Sequence, residues 1–197
     1  EAEHLTKIFL QKGKEPFQAV SDVSFTLASG ETLGIVGESG SGKSTLAKML
    51  TRLTDINSGT LKFEGKNITK LKPKELKPIY GKIKMVFQNP TGSFDPRKTL
   101  EDGIGESLRN RGMKKAEIEK RVGELLEQCG LDRAFAKRYP HEVSGGQCQR
   151  AAIARALAVQ PQILICDEAT SALDVTIQKQ IMELLVELKE KHGLSFI

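Results

Sequence analysis

The sequence predicts an α/β fold with a parallel β-sheet, an N-terminal group of short strands and a mainly helical insertion at about residues 91–150. Two short apolar runs, residues 32–36 and 163–166, are typical of buried strands in such a sheet. Segments with apolar residues at helical spacing follow them, as at residues 114–130. This alternation of strands and helices is typical of α/β domains with a parallel sheet.

The first part of the chain predicts short strands joined by turns. Residues 20–27 include alternating apolar positions, which indicate a half-buried strand. Residues 61–63 end at Glu64-Gly65, which predicts a hairpin turn. A further apolar run at residues 84–87 predicts another strand.

The second half of the chain predicts three helices and one more strand. The helices cover residues 114–130, about residues 147–159, and the segment after strand 163–166 up to His192-Gly193. The residues that line one face of the first and third helices are apolar: Ile118, Val122, Leu125, Leu126 and Cys129, and Ile177, Ile181, Leu184, Leu185 and Leu188.

Residues 37–45 read Gly-Glu-Ser-Gly-Ser-Gly-Lys-Ser-Thr and contain the pattern G-x-x-x-x-G-K-[ST]. Glycines let backbone N–H groups turn around a phosphate, and a following helix N-terminus favours negative charge. Lys43 can reach the outer phosphates, and the Ser44 hydroxyl can hold Mg²⁺. A plain Gly/Ser-rich surface loop is the alternative, but the predicted strand before and helix after disfavour it. The nucleotide-binding residues are therefore Gly37, Glu38, Ser39, Gly40, Ser41, Gly42, Lys43, Ser44 and Thr45.

Composition fits one sizeable soluble domain of 197 residues with a net charge of +5. No apolar stretch approaches the roughly 20 residues of a membrane span, and the charged first residues do not suggest a signal peptide. Lysines cluster at residues 62–84, where we expect a solvated loop containing Pro73 and Pro78 rather than a nucleic-acid surface, because aromatic residues do not interleave with them. Attraction to an anionic membrane surface is also allowed. The three cysteines, Cys129, Cys148 and Cys166, predict reduced thiols in a cytosolic protein.

Two carboxylates, Asp167 and Glu168, follow the apolar run at residues 163–166. Beside a phosphate-binding loop, the first carboxylate can hold Mg²⁺ and the second can polarise an attacking water. Taken alone, an Asp-Glu pair after a strand is as often a polar loop that opens a helix. The phosphate loop upstream favours a catalytic role.

A second Ser/Gly turn, Ser144-Gly145-Gly146-Gln147, comes just before a predicted helix. Its exposed backbone N–H groups suit an anion, but an ordinary helix-capping turn fits the residues at least as well. The residues alone leave both interpretations open.

With these motifs, essentially the entire chain resembles the ATPase subunits of ATP-binding cassette (ABC) transporters. Ser144, Gly145, Gly146 and Gln147 resemble the family's signature motif, with Val143 where Leu is usual, and residues 163–168 resemble its Walker B strand and catalytic glutamate. The resemblance implies a P-loop NTPase (RecA-like) parallel-sheet core, an N-terminal antiparallel β subdomain and an inserted helical subdomain. It implies a single nucleotide-binding domain over residues 1–197. Residues 1–90 and 151–197 would form the β subdomain and ATP-binding core, and residues 91–150 the helical subdomain with the signature motif.

Further site residues follow from the same resemblance. Gln88 is similar to the Q-loop glutamine, and residues 171–174, Ser-Ala-Leu-Asp, resemble the D-loop, which ends at Asp174. Phe9 fits the aromatic that stacks on adenine, with Phe17 as a rival. The implied ligands are ATP and Mg²⁺, the metal being arranged by Ser44, Gln88 and Asp167. Lys43, Gln88 and Glu168 are the implied catalytic residues, with Glu168 as the general base.

Residues 88–99 resemble the oligopeptide, dipeptide and nickel importer group, whose pattern reads Q-N/D-P-x-x-S-hydrophobic-N/D-P-R. The resemblance implies that two such subunits, identical or different, sandwich ATP, with Ser144, Gly145 and Gly146 facing the nucleotide of the opposite subunit. It further implies transmembrane permease subunits contacted around Gln88 and the helical insertion, and indirectly an extracytoplasmic substrate-binding protein. The expected location is the cytoplasmic face of the cell membrane, and no nucleic acid is expected.

The family's switch histidine would follow the strand that starts at residues 194–197, where this sequence stops, and the first residue is not Met. We therefore expect a C-terminally truncated piece, which puts ATP hydrolysis by this chain alone in doubt. The alternatives are an ABC ATPase that acts on nucleic acid or the ribosome, a small-molecule P-loop kinase, and a binding module without hydrolysis. One phosphate loop and a short insertion disfavour the first, and residues 144–147 disfavour the second.

Overall fold

The structure, a computed structural model, describes residues 1–10, 13, 15–168 and 174–197. In these ranges two sheets form separately. An antiparallel sheet in the order β2-β1-β3-β4 contains β1 (Ala2–Phe9), β2 (Phe17–Phe25), β3 (Ser58–Phe63) and β4 (Lys66–Asn67). A parallel sheet in the order β5-β6-β7 contains β5 (Ile83–Val86), β6 (Ile163–Cys166) and β7 (Ser195–Phe196).

Helices connect and cover these strands. They are α1 (Lys43–Leu50), α2 (Pro73–Lys82), α3 (Leu100–Arg109), α4 (Lys115–Gln128), α5 (Gly145–Leu157) and α6 (Val175–His192), with 3₁₀ turns at Thr91–Ser93, Arg133–Lys137 and Pro140–Glu142. In the described residues, no helix is both long and apolar enough to cross a membrane. The predicted helical boundary at residue 150 falls inside α5, so a division placed there would cut a helix.

The predicted turn at Glu64-Gly65 is confirmed. Phe63 pairs with Lys66 across the β3–β4 hairpin, which leaves two residues in the loop. Both have positive φ, 49° for Glu64 and 74° for Gly65. A two-residue hairpin of this kind requires positive φ at both loop positions, which explains the glycine.

Strand β6 joins the two hydrophobic cores of the molecule. Leu164 packs in one core with α3, α4, α5 and α6, whereas Ile165 packs in the other with α1 and the antiparallel sheet. Successive side chains of a strand point to opposite faces, so a strand buried on both sides reads as a continuous apolar run. This placement confirms the strand predicted at residues 163–166. It also puts Asp167 and Glu168, the next two residues of the chain, between the two cores.

The strand predicted at residues 32–36 is wrong. Thr32 makes a single parallel bridge to Phe196, and the Leu33 N–H donates to the Phe196 carbonyl at 2.9 Å. None of the described strands continues alongside residues 34–36. Ile35 is 36% exposed and Val36 is 96% exposed, so the apolar run is not buried as the sequence suggested.

The loop predicted around Pro73 and Pro78 is also wrong, because both prolines lie in α2. Pro73 occupies the first turn, where its missing N–H is not needed. Pro78 lies inside the helix, where proline ordinarily breaks the pattern. Leu76 is buried on the inner face of α2, and the Glu75 carboxylate accepts a hydrogen bond from the Lys72 N–H at 2.9 Å at the start of the helix.

Helix α3 was not predicted, although the sequence carries its start signal. The Thr99 hydroxyl accepts from the Asp102 N–H, and the Asp102 carboxylate accepts from the Thr99 N–H. Such a reciprocal pair satisfies two donors that a helix start leaves unbonded. Leu100, Ile104 and Leu108 then bury one face against α4 and α5.

Candidate active site

The glycine-rich loop runs directly into α1. Gly40 and Gly42 have φ of +80° and +96°, a conformation that residues with a Cβ rarely adopt. A Cβ at Gly42 would also lie 2.0 Å from the carbonyl oxygen of Ala19, on β2. The Leu46 N–H donates to the Gly42 carbonyl at 2.9 Å and starts the helix. The path of the loop is therefore set by close contact between its last glycine and the antiparallel sheet.

The Lys43 side chain folds back over this loop. Its Nζ donates to the carbonyl oxygens of Gly37 and Glu38, each at 2.8 Å. The same Nζ lies 3.4 Å from Oε1 of Glu168. The side chain is mostly buried, with 19% exposed. Its ammonium lies between the glycine-rich loop and the carboxylate of Glu168.

Ser44 and Asp167 are joined across the cleft. The Ser44 Oγ donates to Oδ1 of Asp167 at 2.8 Å. Asp167 is buried at the end of β6, and its N–H donates to the Val86 carbonyl of β5 at 3.0 Å. The chain brings together a hydroxyl and a carboxylate that are 123 residues apart in sequence.

Glu168 and Gln88 meet at the ends of two neighbouring parallel strands. Val86 pairs with Cys166, so the residues two positions further along lie side by side. Nε2 of Gln88 donates to Oε2 of Glu168 at 2.8 Å. Glu168 has a φ of 47°, and a non-glycine residue in the left-handed region stores strain that often marks a functional site.

Oxygen ligands converge where a hard divalent cation would be bound. A cleft of about 480 Å³ is lined by Ser44, Gln88 and Asp167 together with residues of the loop after β5. Hydroxyl, amide and carboxylate oxygens are the donors that Mg²⁺ takes, usually with waters and substrate phosphates completing its shell. The three residues predicted from sequence to arrange Mg²⁺ therefore fit such an ion.

The two candidate adenine-stacking aromatics lie together at the end of the β1–β2 hairpin. Phe9 pairs directly with Phe17 across the strands, and they are 37% and 54% exposed. The Lys7 Nζ lies 5.1 Å from the Phe9 ring centroid. Phe17 is two residues from Ala19, which contacts the glycine loop. The geometry leaves both rings as candidates.

Residues 144–147 form the N-terminus of α5. The Ser144 Oγ accepts from the Gln147 N–H at 3.3 Å, and Oε1 of Gln147 accepts from the Ser144 N–H at 2.9 Å. Ser144 and Gly145 are exposed, whereas Gly146 is buried against α6. A Cβ at Gly146 would lie 2.7 Å from Cγ2 of Ile177. Neither cleft beside Lys43 or Ser44 is lined by these residues.

Asp174 caps α6, its carboxylate accepting from the Ile177 N–H at 3.0 Å. The preceding D-loop residues predicted from sequence, 171–173, lie outside the described residues. Because Ile177 also contacts Gly146, the start of α6 lies next to the start of α5.

Sequence reasoning missed Arg155, which clamps the loop after Gln88. Its two terminal nitrogens donate to the carbonyl and Oγ of Ser93, at 2.6 and 2.9 Å. Its guanidinium carbon lies 4.3 Å from the ring centroid of Phe94. Burial lowers the pKa of this arginine from its ordinary value. The guanidinium therefore ties the last turn of α5 to the segment that begins at Gln88.

The loop that Arg155 contacts is also stabilised by hydrogen bonds within it. The Asn89 Oδ1 accepts from the Gly92 N–H at 3.0 Å, and the Ser93 Oγ donates to the Pro90 carbonyl at 2.6 Å. Phe94 packs on Gly103 of α3, where a Cβ would lie 2.5 Å from the ring. Residues 88–99, which resemble the importer group in sequence, therefore form a connection between Gln88 and the helices that hydrogen bonds and packing hold in place.

Cys166, directly before Asp167, is partly buried, and desolvation raises the pKa of its thiol to about 12. At neutral pH the thiol is therefore protonated and acts as a small apolar residue. Its side chain packs against the helical core.

A glycine-rich loop that opens a helix with Lys43 and Ser44, beside Asp167 at a parallel-strand end, defines a P-loop NTPase. The family model described as ABC transporter matches residues 20–171. The chain therefore belongs to the ABC transporter family, as the sequence motifs predicted.

Solved structures and curated relatives agree with this assignment. The ATP-binding cassette MJ0796, solved as a dimer in a post-hydrolysis state with ADP and Pi, superposes with a TM-score of 0.90 at 34% identity over 99% of this chain and 84% of that one. The oligopeptide transport ATP-binding protein OppF of Bacillus subtilis is 46% identical over 100% of this chain and 65% of that protein. The glutathione import ATP-binding protein GsiA of Pectobacterium atrosepticum is 48% identical over 91% of this chain and 29% of that protein.

The chain spans less than two thirds of the length of these curated relatives. A putative peptide import ATP-binding protein of Brucella abortus is covered to 56% of its length at 46% identity. The names of these relatives refer to oligopeptides, peptides and glutathione.

Proposed function

We propose that this chain binds and hydrolyses ATP to power the import of peptides through a membrane ABC transporter. The observation that carries the proposal is the meeting of Lys43, Ser44, Asp167, Glu168 and Gln88 at one edge of the parallel sheet. The names of the relatives, which concern the import of oligopeptides, peptides and glutathione, support a peptide cargo over nickel.

In this proposal, residues 37–45 hold the phosphates of ATP. The positive-φ glycines turn backbone N–H groups toward the nucleotide, and the N-terminus of α1 adds a favourable dipole. Lys43 exchanges its bonds to the Gly37 and Glu38 carbonyls for the outer phosphate oxygens. Phe9 or Phe17, on the adjoining hairpin, supplies an apolar face for the adenine ring.

Ser44, Asp167 and Gln88 are the residues that would hold Mg²⁺. When bound, the ion supplies positive charge that offsets the charge of the phosphates. The Ser44 hydroxyl is already aligned by its hydrogen bond to Asp167, and Asp167 is fixed by the Val86 carbonyl. The protein therefore presents its oxygen ligands in a fixed arrangement.

Glu168 is the proposed general base for hydrolysis. Its carboxylate takes the proton of the attacking water, which raises the nucleophilicity of that water. Gln88 holds this carboxylate through its amide and orients it. Lys43 lies near the same carboxylate, so movement of the lysine onto the phosphates frees Glu168 to accept a proton.

A second ATPase subunit, identical or different, completes the proposed site. The exposed Ser144 and Gly145 lie at the start of α5, where the helix N-terminus favours an anion, and neither cleft on their own subunit is lined by them. They and Gly146 would face the nucleotide of the opposite subunit, with Asp174 beside them. The dimeric cassette MJ0796 supports this arrangement.

The remaining partners are proposed from the family. Transmembrane permease subunits would contact the region around Gln88 and the inserted helices, and an extracytoplasmic substrate-binding protein would deliver the peptide. The chain would then act at the cytoplasmic face of the membrane as a peripheral subunit.

Nucleotide binding by a Lys43→Ala variant tests the proposal. Loss of the ammonium removes the charge that faces the phosphates, and we expect affinity for a fluorescent ATP analogue to fall at least about tenfold. Lys191→Ala, at the exposed end of α6, is the matched control and should bind as the wild type does. Equal affinity of the Lys43→Ala variant would contradict the phosphate-site assignment. ATP-dependent uptake of labelled oligopeptide, compared with ⁶³Ni²⁺, by the full-length protein with its permeases tests the cargo.

A further inference from the structure

Five exposed lysines cluster between the end of the antiparallel sheet and the first half of α2. The lysine face, as we call this surface, consists of Lys66, Lys70, Lys72, Lys74 and Lys77. Among the described residues, none of their five ammonium groups forms an ion pair. Two neighbouring lysines differ, because Lys62 pairs with Glu3 at 2.8 Å and Lys82 pairs with Glu64 at 2.6 Å. The fold therefore neutralises the edges of this segment and leaves its middle charged.

The same segment holds most of the net charge of the chain. Residues 66–77 contain five lysines and one acidic residue, so their formal net charge is +4, against +5 for all 197 residues. The acidic residue, Glu75, is committed to the start of α2, where its carboxylate accepts from the Lys72 N–H at 2.9 Å. Like charges gathered on one surface create a positive potential that attracts anionic partners. The lysine face therefore suits a partner that carries several negative charges.

A fixed backbone carries these lysines. Leu76 is buried, and Lys74 and Lys77 lie one turn apart on the exposed side of α2. The Thr69 Oγ1 accepts from the Leu61 N–H at 2.7 Å, which ties the connection between β4 and α2 to the antiparallel sheet. Helix α2 has ten residues and is therefore about 15 Å long. Several of the charges can thus meet an extended anionic surface at the same time.

The composition of the lysine face favours lipid headgroups over nucleic acid. Residues 66–77 contain neither an aromatic residue that would stack on a base nor an arginine that would form paired bonds with a base edge. They also expose no large apolar residue that would fill a pocket on a protein partner. Lysine is a compact point charge on a flexible stem, and each lysine near an anionic membrane adds to the attraction without a specific geometry.

Helix α2 lies close to the region that we propose to meet the permease. It runs directly into β5, since Ile83 follows Lys82. Tyr80 of α2 and Phe87, which precedes Gln88, line one cleft. In the proposed function a permease holds the chain around Gln88, so α2 would lie on the membrane side of the subunit.

We propose that the lysine face contacts anionic phospholipid headgroups of the membrane, through a contact separate from the permease. The ammonium groups meet the headgroup phosphates, and the contact strengthens as the share of anionic lipid rises. This inference rests on the proposed function, since the permease brings the subunit to the bilayer. The lipid composition then influences how firmly the ATPase is held at the membrane.

Vesicle binding by the full-length ATPase is the first test. Vesicles of phosphatidylcholine alone are compared with vesicles that also contain about one third phosphatidylglycerol, and bound protein is measured by co-sedimentation. We expect at least about tenfold tighter binding to the anionic vesicles, and loss of most of this difference at about 1 M salt, where charges are screened beyond about 3 Å. Equal binding to both kinds of vesicle would overturn the inference. Tighter binding to a DNA duplex at the same phosphate concentration would also overturn it, because the face would then belong to nucleic acid.

Charge variants are the second test. We expect the double variant Lys74→Gln/Lys77→Gln to bind anionic vesicles at least about tenfold more weakly, and Lys74→Arg/Lys77→Arg to bind as the wild type does. The matched control, Lys120→Gln/Lys191→Gln, removes the same charge from exposed positions on α4 and α6 and should leave binding unchanged. All these variants should keep their affinity for the ATP analogue, because the lysines lie outside the candidate active site. Undiminished vesicle binding by Lys74→Gln/Lys77→Gln would overturn the inference.

Amine footprinting of the assembled transporter separates lipid contacts from protein contacts. The ATPase with its permeases is placed in nanodiscs of anionic or of neutral lipid, and acylation of each lysine is quantified by mass spectrometry. We expect Lys74 and Lys77 to be protected at least about threefold more in the anionic nanodiscs, and Lys191 to react equally in both. Equal protection of Lys74 and Lys77 in both lipids would overturn the inference, because the permease would then cover the face.

The two proposals fail in distinguishable ways. If the assembled wild-type transporter takes up no labelled peptide with ATP, the proposed function fails. If uptake is normal and neither vesicle binding nor acylation of Lys77 depends on anionic lipid, only the inference about the lysine face fails.

Discussion

The guanidinium of Arg155 lies over the ring of Phe94 while both of its terminal nitrogens bond to Ser93. One side chain on α5 thus holds the loop that starts at Gln88 by stacking and by two hydrogen bonds. The start of the same helix carries Ser144 and Gly145, which we propose to face a second nucleotide. A movement of α5 would therefore be transmitted to this loop, and through Gln88 to Glu168, the proposed general base.

Replacement of Arg155 should lower both the stability of the fold and the rate of ATP turnover. A lysine at position 155 cannot make the paired bonds to Ser93 or stack on Phe94, so we expect Arg155→Lys to lower the free energy of unfolding by about 1–3 kcal/mol. We also expect kcat for ATP to fall more than KM changes, because the nucleotide contacts are intact. Urea unfolding and steady-state kinetics measure the two effects. Arg138→Lys is the matched control, since Arg138 is an exposed arginine over Phe135, and a similar loss of stability there would contradict the assignment.

The two positive-φ glycines of the phosphate loop should differ in their tolerance of alanine. Gly40 and Gly42 share the strained backbone, but only Gly42 faces a backbone atom, the Ala19 carbonyl. We expect Gly40→Ala to cost about 1 kcal/mol from backbone strain alone, and Gly42→Ala to cost at least about 2 kcal/mol more. Thermal unfolding and ATP-analogue binding compare the two variants. Equal effects would mean that the contact with β2 does not shape the loop.

Glu168→Gln should separate binding of ATP from its hydrolysis. The new amide oxygen can still accept from Gln88, so the site keeps its shape while it loses the carboxylate base. We expect ATP affinity close to that of the wild type and single-turnover hydrolysis slower by about 10²–10⁴-fold. The matched control is Glu187→Gln on the exposed face of α6. Hydrolysis at the wild-type rate would show that another group is the base.

Alkaline pH should destabilise the protein through Cys129. Burial raises the pKa of this thiol to about 12 from an ordinary value of 9.0. Above pH 9 the unfolded chain releases the thiol proton while the folded chain keeps it, so unfolding becomes more favourable. The stabilising contribution is complete below pH 9 and is lost as the pH rises toward 12. Between pH 8 and pH 10 we expect the wild type to lose about 1 kcal/mol relative to Cys129→Ala.

The measurement is urea unfolding at both pH values. Val122→Ala, in the same core, creates a cavity without a titrating group. Its difference from the wild type should not change with pH, and a pH-independent difference for Cys129→Ala would contradict the raised pKa.

Much of the site could be predicted from the sequence, because short local patterns determine it. The spacing of Gly37, Gly42, Lys43 and Ser44 is the one that a backbone loop around a phosphate requires. The motif therefore predicts the loop and the helix that follows it. Strand β6 was equally clear, because burial on both faces leaves a continuous apolar run at residues 163–166. The position of Asp167 and Glu168 at the end of that strand was then predictable, and it is confirmed.

Interactions between distant segments could not be read in this way. Residues 32–36 look like a strand, yet in the described residues their pairing with β7 is limited to the bridge at Thr32 and the hydrogen bond from Leu33. Pro78 argues locally against a helix, but packing of α2 on the core overrides that preference. Arg155 has no local signal, because its partners lie 62 residues earlier.

The contact between Gly146 and Ile177 fixes the starts of α5 and α6 against each other within one subunit. The proposed second subunit would therefore meet Ser144, Gly145 and Asp174 as one preorganised surface rather than as two independently moving segments. The conformational entropy of that surface is lost when each chain folds, so little remains to be lost on dimerisation. A larger side chain at Gly146 would push the starts of α5 and α6 apart. We therefore expect it to weaken dimerisation by disordering this surface, although none of the proposed contact residues is changed.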